Sequence, residues 1–345
     1  MIDGRVVRGL GRAADFTQVE WVRREFRHAA GIDPHPGTVN IAISGDGALS
    51  RWKEWRSLPG ELLRSPEPAF CDARCLPARI AGRIPAAIVL PGVEDYPEDK
   101  LELVAALAVR EHLSLDEGDP VTISLCEPIP ARAVLFDIDG TLVDSIGAYL
   151  EVARVAAEPL GISVTAEHVR HSLATGANFW RSVLPADGAD ADSLRQRLSA
   201  HAVREWPRIL NEHCRVFEGI EQTLDALCSA GIRLGIVSGA RPEVLELLRR
   251  HGLLDRFDAI VLGADVARRK PDPEGILLGM GKLGMRPEET VYVGDTQVDI
   301  QASRAAGVRS VGVLTGAADS ATLSACWPDR LISSHARLPA VLTPA

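Results

Sequence analysis

Five short β-type runs, AVLFDID, IRLGIVSG, DAIVLGAD, TVYVGD and VRSVGVL, recur between Ala133 and Leu314 and alternate with helical patterns such as PEVLELLRRHG and DIQASRAAG. Apolar strands that alternate with amphipathic helices must bury both faces of their sheet, which predicts a Rossmann-like parallel α/β sheet covered by helices. In such sheets ligands bind at the carboxyl ends of the strands. The βαβ rhythm is interrupted after the first run by an insertion at about 146–216, where the apolar spacing in AYLEVARVAAEPLG and SLRQRLSAHAVREWPRIL is helical. An insertion at that position leaves from the ligand-binding edge, so an α-helical cap or lid is expected there.

This region does not exhaust the chain. With 345 residues, two or three domains are expected. Upstream lie further β-type segments (GRVVRG, TVNIAI, ARIAGRIPAAIVL, DPVTISL) and two expected helices, around Val19–Ala30 and Lys100–Glu111. Strands at both ends of that segment predict a small closed or partly closed sheet, a β-barrel. Pro128 and Pro130 cannot donate to a ladder and mark the junction, so the expected domains are 1–127 and 131–345.

Hydrophobic residues make up 46% and charged residues 25%, enough apolar material for ordinary cores. The net charge of −9 speaks against nucleic-acid polymers and anionic membranes as partners, while leaving room for small anions at local sites. No apolar run reaches signal-peptide or membrane-span length, and a cytoplasmic protein is expected. Six scattered cysteines are expected as free thiols; Cys71 and Cys75 lack a second Cys/His pair to complete a metal clip.

The run Phe136-Asp137-Ile138-Asp139-Gly140-Thr141 puts two carboxylates two residues apart where the first α/β strand ends. Two ionised carboxylates at a buried edge repel each other unless a hard cation such as Mg²⁺ offsets them. A carboxylate nucleophile beside an acid/base is one route to covalent phosphoryl transfer. Ser238 ends the next run, Lys270 precedes Pro271, and Asp295 and Asp299 follow the fourth run in GDTQVD, so four strand ends carry polar chemistry.

In this order, from about Ala131 to Leu342, the set resembles the haloacid dehalogenase superfamily of phosphohydrolases, most nearly its phosphoglycolate-phosphatase-like group with a helical cap. The resemblance implies that Asp137 is the nucleophile and forms an aspartyl-phosphate, and that Asp139 is general acid and then base. It implies further that Ser238 and the Gly239 amide hold phosphoryl oxygens, and that Lys270 offsets charge. Asp137, Asp295 and the Asp139 carbonyl would ligate Mg²⁺, with Asp299 as ligand or supporting carboxylate, and Thr141 would orient Asp139 next to the phosphate site. Asp139 argues against the dehalogenase branch, which lacks it. The absence of lysine between Lys100 and Lys270 argues against the phosphonate-cleaving branch. A phosphomonoester hydrolase or phosphomutase remains, acting on a small phosphorylated metabolite selected by the cap. Arg170, His171, Asn178, Trp180 and Arg181 are candidates for that selection, although Trp180 equally fits a packed cap residue.

Upstream, Gly9-Leu10-Gly11, Pro36-Gly37-Thr38-Val39-Asn40, IPAAIVLP, Leu101–Ala105, Leu107–Arg110 and Glu117-Gly118-Asp119 follow in an order that resembles the archaeal-type CTP-dependent riboflavin kinases, cradle-loop β-barrels, over about Gly4 to Leu125. The resemblance implies a nucleotide site at Gly9, Leu10, Gly11, Arg12, Ala13 and Ala14 with Leu107, Ala108, Val109 and Arg110. It also implies Mg²⁺ on Thr38 and Asn40, and a flavin contact at Glu102. Ala13 and Ala14 stand where the family has a glycine and a basic residue, and Glu94 stands on the flavin side in place of a threonine. The expected function is therefore bifunctional: a Mg²⁺-dependent phosphatase joined to a CTP-dependent kinase that converts riboflavin to FMN. The alternative is one phosphatase with an N-terminal module that senses flavin or nucleotide without catalysis.

Overall fold

The computed structural model describes residues 1–9, 13–67, 70–93, 96–184 and 190–345. By packing, the chain forms two compact units, one of Met1–Pro128 with Asp319–Arg337, the other of Ile129–Ala318 with Leu338–Ala345.

The first unit is built on strands β1 (Ile2–Val7), β2 (Val39–Ile43), β3 (Glu61–Leu63), β4 (Ala73–Ile80), β5 (Ile84–Pro91), β6 (Lys100–Ala105) and β7 (Pro120–Leu125). Their order is β3-β4-β5-β6-β2-β1-β7, and an additional β4–β7 pairing closes six antiparallel strands into a barrel with β3 appended. The two-residue period of these strands sends Ile2, Val6, Ile41, Ile80, Ile84, Ile88, Leu101 and Leu103 into one buried core. Positive φ at Ala81 (52°) and Gly82 (65°) turns β4 back into β5.

Helices α1 (Ala13–Thr17), α2 (Glu20–Ala30), α3 (Asp46–Arg56) and α4 (Val109–His112) join these strands. The α2 stripe Trp21, Val22, Phe26 and Ala29 packs with Leu63, Cys75, Ala87 and Val104 in a second apolar cluster. That second cluster explains why the helix expected over Lys100–Glu111 is instead β6 followed by a one-turn helix. Leu101, Leu103 and Ala105 enter the barrel core while Val104 and, just past the strand, Ala106 enter the α2 cluster, so after Lys100 and Glu102 both faces are apolar. A strand buried on both sides loses its alternation and reads like a buried helix. Pairing with β2 and β5 decides the matter. Residues 319–337, which pattern alone assigns to the α/β region, pack with the barrel: Trp327 lies against its core and Asp329 pairs with Arg79 at 3.2 Å.

The second unit opens with β8 (Ile129–Ala131) and β9 (Ala133–Phe136) and continues through β10 (Val143–Asp144), β11 (Arg215–Val216), β12 (Arg233–Ser238), β13 (Ala259–Leu262), β14 (Thr290–Gly294) and β15 (Arg309–Val313). Strands β13-β12-β9-β14-β15 run parallel in that order, with every residue of β9 and β14 buried. The five β-type runs therefore form one doubly covered sheet with β9 at its centre. Helices α5 (Ile146–Ala157), α6 (Ala166–Thr175), α7 (Phe179–Val183) and α8 (Ala191–His213) form the insertion, which leaves and returns through the short antiparallel pair β10–β11. The helices meet over Ala153, Ala156, Ala157, Trp180, Leu184 and Leu198. Cys71, Cys75, Cys126, Cys214 and Cys228 are free thiols, and among the described residues no helix is long and apolar enough to cross a membrane.

Candidate active site

Asp137 follows β9, where its amide donates to the Val293 carbonyl of β14 at 2.9 Å, so the sheet itself fixes the carboxylate at the carboxyl edge. Its Oδ1 accepts from Lys270 Nζ at 2.7 Å. Lys270 also donates to Asp299 Oδ1, and to the Tyr292 hydroxyl at 2.9 Å. Tyr292 donates in turn to the Val237 carbonyl at 2.7 Å, which anchors the lysine across three strands. Oδ2 of Asp299 accepts from the Thr296 amide at 3.0 Å as a helix cap, so one side chain serves the helix and the site together.

Oxygens of Asp137, Asp295 and Asp299 lie within 4.8 Å of one another, and all three residues are buried. Three carboxylates against one ammonium leave excess negative charge, and the donor set is all oxygen, which fits a hard divalent cation such as Mg²⁺. Asp295 is held by the Thr141 hydroxyl on Oδ1 (3.1 Å) and the Ala317 amide on Oδ2 (2.7 Å). Thr141, which the family resemblance places beside Asp139, thus donates its hydroxyl to Asp295. Glycines make room for the carboxylate: a Cβ on Gly316 would lie 1.8 Å from Asp295 Oδ2 and one on Gly140 2.3 Å from it. Gly140 also has φ of 77°, so the turn after the two aspartates is glycine-dependent twice over.

Burial raises the pKa of Asp137 to about 6; Lys270 pulls it back and Asp299 and Asp139 push it further up. Burial, Asp299 and Asp137 likewise hold Asp295 well above the ordinary carboxylate range. Burial by itself would lower Lys270, but Asp137 and Asp299 outweigh it and keep the ammonium firmly charged. Burial raises Asp139 too, opposed by the hydroxyls of Ser145 and Tyr149, the latter donating to Oδ2 at 2.9 Å. A carboxyl inclined to keep its proton is suited to act as a general acid.

These groups face a cavity of about 290 Å³ lined by Asp137, Asp139, Ser238, Gly239, Lys270 and Tyr149, with Arg268 and Arg269 at its wall. Ser238 ends β12, is buried, and accepts from the Ala240 amide at 3.1 Å. The structure therefore brings together Asp137, Asp139, Ser238, Gly239, Lys270, Asp295 and Asp299 from four strand ends. Two residues that sequence reasoning missed, Tyr149 and Tyr292, contact the acid and the lysine. Tyr149 lies in a cap helix twelve residues beyond Asp137, and nothing in its spacing distinguishes it from a packing residue.

Residues 134–313, just over half of the chain, match the family model described as haloacid dehalogenase-like hydrolase. The chain belongs to the haloacid dehalogenase-like hydrolases. It is 31% identical over 235 residues to the phosphoglycolate phosphatase of Salmonella typhi, an alignment that covers 62% of this chain and 93% of that protein. It is 30% identical over 215 residues to the N-acetylmuramic acid 6-phosphate phosphatase of Pseudomonas aeruginosa, covering 60% and 92%. A solved haloacid dehalogenase-like hydrolase from Bacteroides fragilis superposes with a TM-score of 0.53 at 34% identity, covering 60% of this chain and 99% of that one. Phosphatase activity follows from this membership and from the assembled aspartates. Residues 6–125 match a second family model, named for CTP-dependent riboflavin kinases and described as a domain of unknown function.

In that first unit a cavity of about 190 Å³ is lined by Thr38, Leu107, Ala108, Val109 and Arg110, together with His35 to Gly37. Asn40 is buried, its Nδ2 donates to Thr38 Oγ1 at 3.1 Å, and its Oδ1 has no hydrogen-bond partner among the described residues. A buried orphan acceptor beside a hydroxyl fits one side of a Mg²⁺ shell that a nucleotide would complete. Gly9 sits against this pair; a Cβ there would lie 2.5 Å from Asn40 Nδ2. Ala13 and Ala14 open α1, and their carbonyls accept from the Thr17 hydroxyl, which itself accepts from the Gly37 amide at 2.9 Å. Glu102 is opposite Asn40 in the β2–β6 register and pairs with Lys100 at 2.7 Å; it does not line the cavity. Leu10, Gly11, Arg12 and Glu94 lie outside the described residues.

Proposed function

We propose that the second unit is a Mg²⁺-dependent phosphomonoester hydrolase working through an aspartyl-phosphate, and that the first is a CTP-dependent riboflavin kinase. One observation carries the hydrolase reading: Asp137 is held at the mouth of the cavity by Lys270 while Asp139, two residues on, is held separately by Tyr149. Asp137 and Asp139 therefore do different work. In this reading Asp137 Oδ attacks phosphorus, the bond to the alcohol oxygen breaks, and that oxygen takes the proton of Asp139. The resulting Asp139 carboxylate then accepts a proton from water, whose oxygen attacks the phosphoryl group and returns Asp137 as a carboxylate with release of inorganic phosphate.

Lys270 offsets the charge that develops on the transferring oxygens, and Ser238 with the Gly239 amide holds them in place. A divalent cation held by Asp137, Asp295 and Asp299 would supply further neutralisation of the phosphoryl oxygens. For the first unit, the Gly9–Asn40–Thr38 contact and the adjoining cavity support nucleotide and Mg²⁺ binding. The helical placement of Ala13 and Ala14 favours the second reading, a unit that binds without turnover.

Two assays on the full chain test these readings. Asp137→Asn should abolish Mg²⁺-dependent phosphate release while the protein stays folded; retained turnover would remove the nucleophile assignment. Formation of FMN from riboflavin with CTP but not ATP, and intact in Asp137→Asn, supports the kinase. Flavin binding without turnover supports the sensor.

A further inference from the structure

A second cavity of about 320 Å³ lies within the cap and shares Tyr149, Ser172 and Leu173 with the catalytic one. It is unlike its neighbour. Its walls include Val152, Phe179, Trp180, Val203 and Trp206, and the one formal charge among the described lining residues is Arg241. Trp206 stacks on Tyr149 with ring centres 4.7 Å apart and planes inclined by 28°, and Phe179 meets Trp180 edge-on at 4.8 Å. A buried indole donor, Nε1 of Trp206, has no hydrogen-bond partner among the described residues.

Resting on the phosphomonoester hydrolase reading, we propose that this cavity receives the leaving group, and that the preferred substrate is the phosphate ester of a primary alcohol bearing a planar heteroaromatic ring. Flat apolar walls and stacked rings favour a planar body. Arg241 brings hydrogen-bond donors to the lining, which a ring nitrogen or carbonyl can accept. Among the described lining residues there is no acid, and with Arg241 at hand a cationic group is disfavoured. A compact acid such as glycolate would leave most of this space unfilled. Tyr149 couples the two cavities, because its ring forms the shared wall while its hydroxyl holds Asp139.

Phosphate release by the full chain in Mg²⁺ is measured for four primary-alkyl esters of similar intrinsic reactivity: pyridoxine 5′-phosphate and FMN against ethyl phosphate and phosphoglycolate. At least one planar ester should exceed both compact esters by about tenfold or more in kcat/KM. Val203 is 43% exposed on α8, so Val203→Trp can fill the cavity without disturbing the core. This change should reduce the planar-to-compact ratio about tenfold, mainly through KM, whereas Val203→Ala should preserve the preference. Preference for the compact esters, or equal loss for all four in Val203→Trp, would overturn the inference and leave the hydrolase reading standing. No release from any of the four would overturn both.

Discussion

Replacing Lys270 by methionine isolates how much of the second unit's stability rests on one ammonium among three buried aspartates. Lys270 is 14% exposed and Asp137 9% by side chain, so their 2.7 Å pair is screened little by solvent. Breaking a buried pair by removing one partner costs about 3–5 kcal/mol, because a charge remains without compensation. For a unit of this size about 2–4 °C of Tm accompanies each kcal/mol, so a fall of about 6–20 °C is expected in metal-free buffer at pH 8.

The loss should depend on pH in a defined direction. Asp137 has its pKa raised from the ordinary 3.8 to about 6, so the folded state holds its proton more tightly than the unfolded chain does. Its contribution to stability is present below about pH 4 and is lost as pH rises through about 6. Lys270 limits that loss, and so the gap between wild type and Lys270→Met should open above pH 6 and narrow at pH 5. Scanning calorimetry with EDTA at both pH values measures the gap, and hydrogen exchange in β9 and β12 assigns the transition to this unit. Equal destabilisation at pH 5 and pH 8, or none at pH 8, would refute the argument that buried charge is the cause.

Three further outcomes are expected. Gly316→Ala places a Cβ where Asp295 Oδ2 now sits, so Mg²⁺ affinity by titration calorimetry should fall at least tenfold while circular dichroism stays native. Lowering pH from 7 to 5 should weaken Mg²⁺ binding about tenfold or more, as protons compete for Asp137 with its pKa near 6; affinity independent of pH would exclude Asp137 as a ligand. Tyr149→Phe removes a donor that holds Asp139 down, so kcat should fall about tenfold and the alkaline limb of its pH profile, set by loss of the Asp139 proton, should move to higher pH.

The parallel sheet, the insertion after its first strand and most of the catalytic constellation were legible without coordinates. Asp137, Ser238 and Asp295 stand at the ends of strands whose apolar runs are unbroken, and the chemistry of paired carboxylates limits what they can do. The bond from Thr141 to Asp295 was not legible, because the two lie 154 positions apart in the chain. Tyr292 looked like one more apolar strand residue, and only the arrival of Lys270 from another loop turns its hydroxyl into an anchor. Strand β6 was hidden for a different reason. From Leu103 on, its two faces belong to two apolar clusters, so the alternation of Lys100 to Leu103 stops halfway along it.

What the sequence determined by itself was local: where strands end, which side chains stand there, and which backbone turns need glycine. Those properties depend on a residue and its near neighbours in the chain. Tertiary structure alone decided that Asp137 and Asp299 share one ammonium, that Gly316 makes room for Asp295, and that residues 319–337 pack with the barrel. Each of these joins positions far apart in the chain, where spacing carries no information and only packing brings the atoms within reach.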